Sequence, residues 1–221
     1  MRNGAHVAID CVDLAMGCDL DFVIADSTVE VVRNGDWGNP FFSNYGDVII
    51  DGSTVSVDNP VACDYSTIYA AENVTISRPN VTASSKTSIA IWAQEGDVAI
   101  QDSVVAASSP ANWEAVRAGG KITADNSWIQ ATGKDLGNNF AYTNSAVFLN
   151  GTGEVAGNLV LPGSATIGAD MQLIIPQGAT VSVPAGVTLT NSGTVYVMGE
   201  VKETGGTIVC NSHAGGTATC Q

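Results

Sequence analysis

The 221-residue sequence predicts an all-β parallel β-helix. Three observations carry this: a β-favouring composition, a strand–turn–strand window recurring every 24–26 residues, and a third apolar stretch in most repeats. Hydrophobic residues make up 45% of the chain, but only 6% is aromatic and 14% charged. A core must therefore come from Val, Ile, Leu and Ala rather than rings. Abundant Val, Thr, Ser, Gly and Asn, with few Lys, Glu and Arg, argue against helices. The apolar fraction is ordinary for a folded chain and excludes a disordered one. Eight Lys and Arg face 22 Asp and Glu, a net charge of −14, so a nucleic-acid partner is not expected. No run approaches transmembrane length, so no membrane insertion is expected. Met1–Ile9 holds no apolar segment of signal-peptide length either.

Five windows define the repeat. They begin at Phe22, Val48, Val74, Val98 and Ile122, hence 26, 26, 24 and 24 residues apart. Each reads apolar-x-apolar, a short turn, then apolar-x-apolar, which is two strands of period two joined by a corner. Ile68-Tyr69-Ala70, Ile91-Trp92-Ala93, Val116-Arg117-Ala118 and Val147-Phe148-Leu149 supply a third strand per coil. A lone coil cannot bury its apolar face, so successive coils must stack.

The inward positions then form ladders. Phe22, Val48, Val74, Val98 and Ile122 make one; Ile24, Ile50, Ile76, Ile100 and Ala124 the next; Val29, Val55, Val81, Val105 and Ile129 a third. Ser27, Ser53, Ser103 and Ser127 recur at the corner, with Pro79 the exception, and a serine there can bond turn backbone. Ala5–Ile9 reads as a strand of an incomplete first coil. The β-helix is expected over 1–203, with regular coils over 20–150 and tighter coils over 151–203, then a loose Gly/Thr-rich tail over 204–221. Within this plan the coil lengthens at Gly133–Asn144. The later strands, at Leu173, Val181, Val187 and Val195, continue the same solenoid, with a small sandwich cap as the alternative.

Five cysteines leave at least one thiol unpaired in a monomer. Cys210 and Cys220 would close a short loop if oxidised. Cys18 falls at an inward position and reads as a buried thiol. No CxxC pair exists, and His6 and His213 are the only histidines, so a zinc site is not expected.

Gly46-Asp47-Val48-x-Ile50-x-x-Ser53-x-Val55 and its copy Gly96-Asp97-Val98-x-Ile100-x-x-Ser103-x-Val105 resemble extracellular right-handed parallel β-helix domains of bacterial surface proteins. The segment from Ile175-Pro176-Gln177-Gly178 to Thr190-Asn191 is similar to repeats of the same class. The resemblance spans most of residues 20–200. It implies a right-handed helix, an extracellular or cell-surface location, and a polysaccharide or host-surface glycan as partner. The class includes adhesins, polysaccharide-binding domains and, more distantly, pectin-degrading enzymes. The Gly-His-Gly and Arg-x-Lys motifs of inverting hydrolases on this fold are absent here.

Two sets of residues are candidates for function. Asp26, Asp51, Asp102 and Asp125 lie in adjacent columns at the first corner, beside Arg78. They form either a solvated acidic corner or a calcium site of a lyase, since that ion takes several carboxylates. No cofactor other than calcium is suggested. The second set faces outward on the third strand: Tyr69, Trp92, Arg117 and Phe148, one per coil, with Tyr65 and Trp113 in the connections before it. Phe41, Phe42, Tyr45, Phe140 and Tyr142 lie in the same connections, whereas Trp37 and Trp128 fall outside the column and read as structural. Flat exposed rings suit the apolar faces of sugars, and an exposed patch of this kind marks a binding surface. The alternative is that the connections fold over the rings as a satellite core. Three functions follow: a non-catalytic binding or adhesion module, a carbohydrate-active enzyme, or a structural spacer.

Overall fold

A computed structural model describes residues 4–11, 16–35, 37–62, 64–78, 80–137 and 139–210. The fold is all-β, a parallel β-solenoid of about eight turns with stacked coils. Among the described residues no helix is long and apolar enough to cross a membrane.

Each coil visits three sheets. Sheet I holds the strands Phe22–Ala25, Val48–Asp51, Val74–Ser77, Val98–Gln101 and Ile122–Asp125, and sheet II the strands Thr28–Arg33, Thr54–Asn59, Asn80–Ser85, Val104–Ser108 and Trp128–Thr132. Sheet III holds Met16–Cys18, Phe41–Ser43, Ile68–Ala70, Ile91–Ala93 and Val116–Ala118. His6–Cys11 pairs in parallel with Thr28–Arg33, so sheet II starts one strand ahead of the others. The registers align like with like: Ile50 with Ile76, Val55 with Val81, Ile68 with Ile91. Period-two alternation turns these columns inward, where they form one continuous aliphatic core.

Two corners are held by side-chain ladders. Asp26, Gly52, Arg78, Asp102, Asn126 and Asn144 adopt left-handed backbone, with φ between 44° and 58°, at the corner from sheet I to sheet II. Asp and Asn tolerate this conformation better than other side chains, which accounts for most of the column. The serine that follows does two jobs. Its hydroxyl donates to the carbonyl two residues back, as Ser127 does to Asp125 at 2.7 Å, and accepts the N–H of the serine one coil earlier, as Ser127 does from Ser103 at 3.3 Å. Ser145 continues the ladder by accepting the Ser127 N–H at 3.0 Å. Ser127→Ala strips the buried Ser103 N–H of its hydroxyl partner, while the Asp125 carbonyl keeps the Asp102 N–H at 3.1 Å, and is expected to cost about 1–3 kcal/mol in urea unfolding. An unchanged midpoint would contradict that role.

The corner from sheet III to sheet I runs on carboxylates and amides. Asp47 N–H donates to Asp21 Oδ1 (3.1 Å), Asn73 to Asp47 (2.9 Å), Asp97 to Asn73 (2.8 Å) and Lys121 to Asp97 (2.7 Å). Glycine precedes Asp47, Asp97 and Lys121 for a steric reason. A Cβ at Gly46, Gly96 or Gly120 would stand 2.5, 2.3 or 2.0 Å from the Oδ1 of Asp21, Asn73 or Asp97. The repeated Gly-Asp pair is thus a corner device.

The first stack ends differently from the expected plan. The coil after Trp128 shortens to 18 residues, because Trp128 pairs with Ala146. Phe140–Thr143 joins sheet I, placing Phe140 beside Ile122 and Tyr142 beside Ala124, and Ser145–Leu149 joins sheet II rather than sheet III. Between them, residues 133–137 cross the edge of sheet III without forming a strand, held by Ala115 N–H to Asp135 O at 2.8 Å and Lys134 N–H to Trp113 O at 2.7 Å. The chain then reverses. Thr152–Ala156 runs antiparallel to Ser145–Leu149 across Asn150-Gly151, whose φ values of 50° and 85° are those of a two-residue hairpin turn.

A second three-sided stack follows, with coils of 19–24 residues. Sheet II continues through Gln172–Ile175 and Thr194–Val197 to ten strands, while two new three-stranded sheets form from Asn158–Val160, Thr180–Pro184 and Glu200–Thr204, and from Ala165–Ile167, Thr188–Asn191 and Thr207–Cys210. Its core lies on the opposite face of sheet II. Ile129 and Val147 point into the first core, whereas Trp128, Ala146 and Phe148 point into the second, against Val155, Leu159 and Leu173. The later coils are therefore a solenoid as expected, but one reversed and set against the outer face of the first. Thr207–Cys210 also corrects the expected tail, since the last coil runs on to Cys210. Cys18 stands in the predicted column beside Ser43 but is only half-buried, its thiol donating to Leu20 O, because Met16–Cys18 is an edge strand.

Candidate ligand-binding face

Sheet III presents the predicted ladder. Phe42, Tyr69, Trp92 and Arg117 occupy one outward column in strict register. The inward neighbours Phe41, Ile68, Ile91 and Val116 are fully buried and fix the orientation of the face. Tyr69 and Trp92 meet edge to face, 5.4 Å between ring centroids. The Arg117 guanidinium lies 5.5 Å from the centre of the Trp92 ring, within cation–π range. Phe42 leans over Gly17, where a Cβ would stand 2.5 Å from its ring. The Tyr69 hydroxyl donates to Gln94 Oε1. Partial burial, and then the negative charge of Glu95, push the Tyr69 phenol above its ordinary value, so it keeps its proton at neutral pH.

Phe148 does not belong to this column. It pairs with Gln130 in sheet II and is completely buried against Trp128, 4.9 Å between ring centroids. Val147 and Phe148 do face opposite sides of their strand, but the strand belongs to sheet II rather than sheet III. Trp113 sits half-buried in the connection before Val116–Ala118, its carbonyl accepting from Lys134. Phe140 and Tyr142 stack 5.5 Å apart against the end of the first core. These two and Phe41 are strand residues that pack in or against the first core itself, rather than rings covered by a connection.

Tyr65 is joined by Trp37, which corrects the expectation that Trp37 is structural. Trp37 is 72% exposed and packs on Tyr65 at 6.2 Å between ring centroids, on the border where the chain enters sheet III. Tyr45, 75% exposed, and Leu20, 72% exposed, lie on the opposite border, where the chain leaves that sheet. Exposed or half-exposed rings thus occur on the face and on both its margins. Trp37 was legible as a surface residue from its setting in Asn34-Gly35-Asp36-Trp37-Gly38-Asn39-Pro40, a run of turn formers. Another concavity, about 540 Å³, lies where the outer face of sheet II meets the second stack, floored by Thr82, Ala106, Ser108 and Gln130, and it carries no exposed ring.

The four aspartates are not brought together. Asp51 accepts from Ser77 at 2.7 Å and forms an ion pair with Arg78; Asp102 accepts from Asn126 at 2.7 Å; Asp125 accepts from Thr143 at 2.9 Å and Asn144 at 3.1 Å. Among the described residues no three His, Cys, Asp or Glu side chains converge on one point. The corner works as a hydrogen-bond ladder, with Asp26 at its first coil. Of the expected disulfide, Cys210 is disulfide-bonded, and Cys220 lies outside the described residues, as do Pro79, Cys63 and His213.

Arg78 holds the Asp51 carboxyl below the ordinary carboxylate range, chiefly through their hydrogen bond and then with help from Ser77. A depressed folded-state pKa adds stability that is present above the unfolded value near 3.9 and is lost as pH falls through the folded value. Arg78→Ala is therefore expected to flatten the fall of Tm below about pH 4, modestly because both side chains are solvent-accessible. Superimposable Tm–pH curves for the two proteins would contradict the assignment.

No family model matches the chain, and neither a curated protein nor a solved structure does.

Proposed function

We propose that this protein is a non-catalytic binding module that presents the face of sheet III to polysaccharide outside the cell. The observation carrying this is the outward column Tyr69–Trp92–Arg117, with the exposed Trp37–Tyr65 pair on its margin. Rings held edge to face and in register with the coils form a ridged platform, and a sugar's apolar face can lie on such rings. Arg117, Gln94 and the Tyr69 hydroxyl supply polar groups at its rim for ring hydroxyls. Exposed apolar patches on otherwise polar surfaces serve as interaction sites. The extracellular setting is supported by the disulfide at Cys210 and by the resemblance of the Gly-Asp repeats to surface β-helix domains. The dispersed, internally bonded aspartates give a lyase or hydrolase reading no comparable support.

The test is retention on a panel of immobilised plant, fungal and bacterial polysaccharides, with product analysis of the same incubations in the presence of calcium. Retention without release of reducing or unsaturated sugars is expected. Failure to bind any member of a broad panel, or sugar release from one, would refute the reading.

A further inference from the structure

We infer that the platform selects an uncharged polysaccharide and turns away uronate and sulfated chains. This rests on the reading of sheet III as the binding face. The border where the chain leaves sheet III for sheet I carries Asp19, Asp21, Asp47, Glu72, Glu95 and Asp97 against Lys121 alone. The opposite border is closer to balance among the described residues, with Asp64, Glu114 and Asp135 against Lys86 and Lys134. Lys134 is itself drawn toward Glu114 and Asp135, at 3.8 and 3.6 Å. Elsewhere Arg78 is paired with Asp51 and Lys202 with Glu200. The face itself offers one cation, Arg117, and its guanidinium rests on Trp92.

Stacked coils repeat about every 4.8 Å. A chain lying along the ladder therefore runs beside at least one acidic position in each of the first four coils, at a spacing shorter than the ~8 Å screening length of physiological salt. A single guanidinium cannot neutralise a repeating anion against such a row. It can donate hydrogen bonds to neutral hydroxyls. The acidic border reaches the platform electrically, since Glu95 helps to raise the Tyr69 phenol.

Affinity electrophoresis of the whole chain through gels containing mixed-linkage β-glucan, galactomannan, polygalacturonate or alginate tests the inference. Retardation by a neutral polymer at least about tenfold stronger than by either polyanion is expected at low salt, and the ratio should narrow at high salt. Glu72→Lys with Glu95→Lys should raise retardation by polygalacturonate about tenfold while leaving the neutral polymer within about twofold. Polygalacturonate retardation equal to or stronger than that of the neutral polymers would overturn the selectivity and leave the platform standing. A charge-reversed variant with unchanged preference would overturn it as well. Retardation by none of the four would count against the platform, and the selectivity would fall with it.

Discussion

Phe148→Ala is expected to destabilise the protein by about 3–5 kcal/mol while leaving polysaccharide retention intact. Its ring is fully buried where the two stacks meet, against Trp128, and the hairpin pairs it with Gly153, whose missing side chain leaves room for it. A Cβ at Gly153 would stand 2.4 Å from that ring. Truncation therefore opens a cavity in the shared face of sheet II rather than exposing a ligand contact. Because this core is the seam between the stacks, loss is expected first in the second one, as an early transition in urea or as faster amide exchange over 152–210 than over 20–130. Lost retention with unchanged stability would return Phe148 to the binding column and contradict the sheet assignment.

Trp92→Ala has the opposite signature. Trp92 sits at the centre of the ladder, touched by Tyr69 on one coil and Arg117 on the next, so truncation removes its own stacking surface and loosens both neighbours. Central aromatic anchors of interfaces commonly cost about 2 kcal/mol or more when truncated, which is roughly thirtyfold in affinity. The inward Ile91 and Ala93 are untouched, and Trp92 itself is only partly buried, so the change in Tm should be small. Retention within about twofold of the parent would place binding elsewhere, or nowhere. Trp37→Ala should weaken retention less, since its ring lies on the margin.

These two residues also show what sequence could and could not convey. The solenoid was legible because a coil must repeat its inward residues to stack: Ile50, Ile76 and Ile100 are the same residue in consecutive coils, and the structure pairs them. The Tyr69–Trp92–Arg117 column was legible for the same reason. Phe148 was not. Period two tells which side of a strand faces inward, but nothing in Val147-Phe148-Leu149 tells which sheet the strand joins. The deciding signals lay on either side. Phe140-Ala141-Tyr142 alternates as a strand and fills the sheet I slot, and Asn150-Gly151 is a strong short-range hairpin signal. Treating 133–144 as one long connection hid both. Trp37 escaped because it sits in a connection with no counterpart in other coils, where periodicity carries no information. The Asp21–Asp47–Asn73–Asp97 ladder was visible as a motif, yet its cause, a carboxylate accepting the next coil's N–H over a glycine, needed the stacked geometry.

The most direct measurement of the central claim uses the four tryptophans as reporters. Each contributes one indole N–H resonance, and Trp128 is buried between the stacks as an internal control. On titration with a soluble oligosaccharide cut from a retained polysaccharide, the Trp92 resonance should shift most and that of Trp37 less. The Trp128 resonance should stay in place. Shifts confined to Trp128, or saturable binding with Trp92 unmoved, would contradict the assignment of the sheet III face as the binding surface.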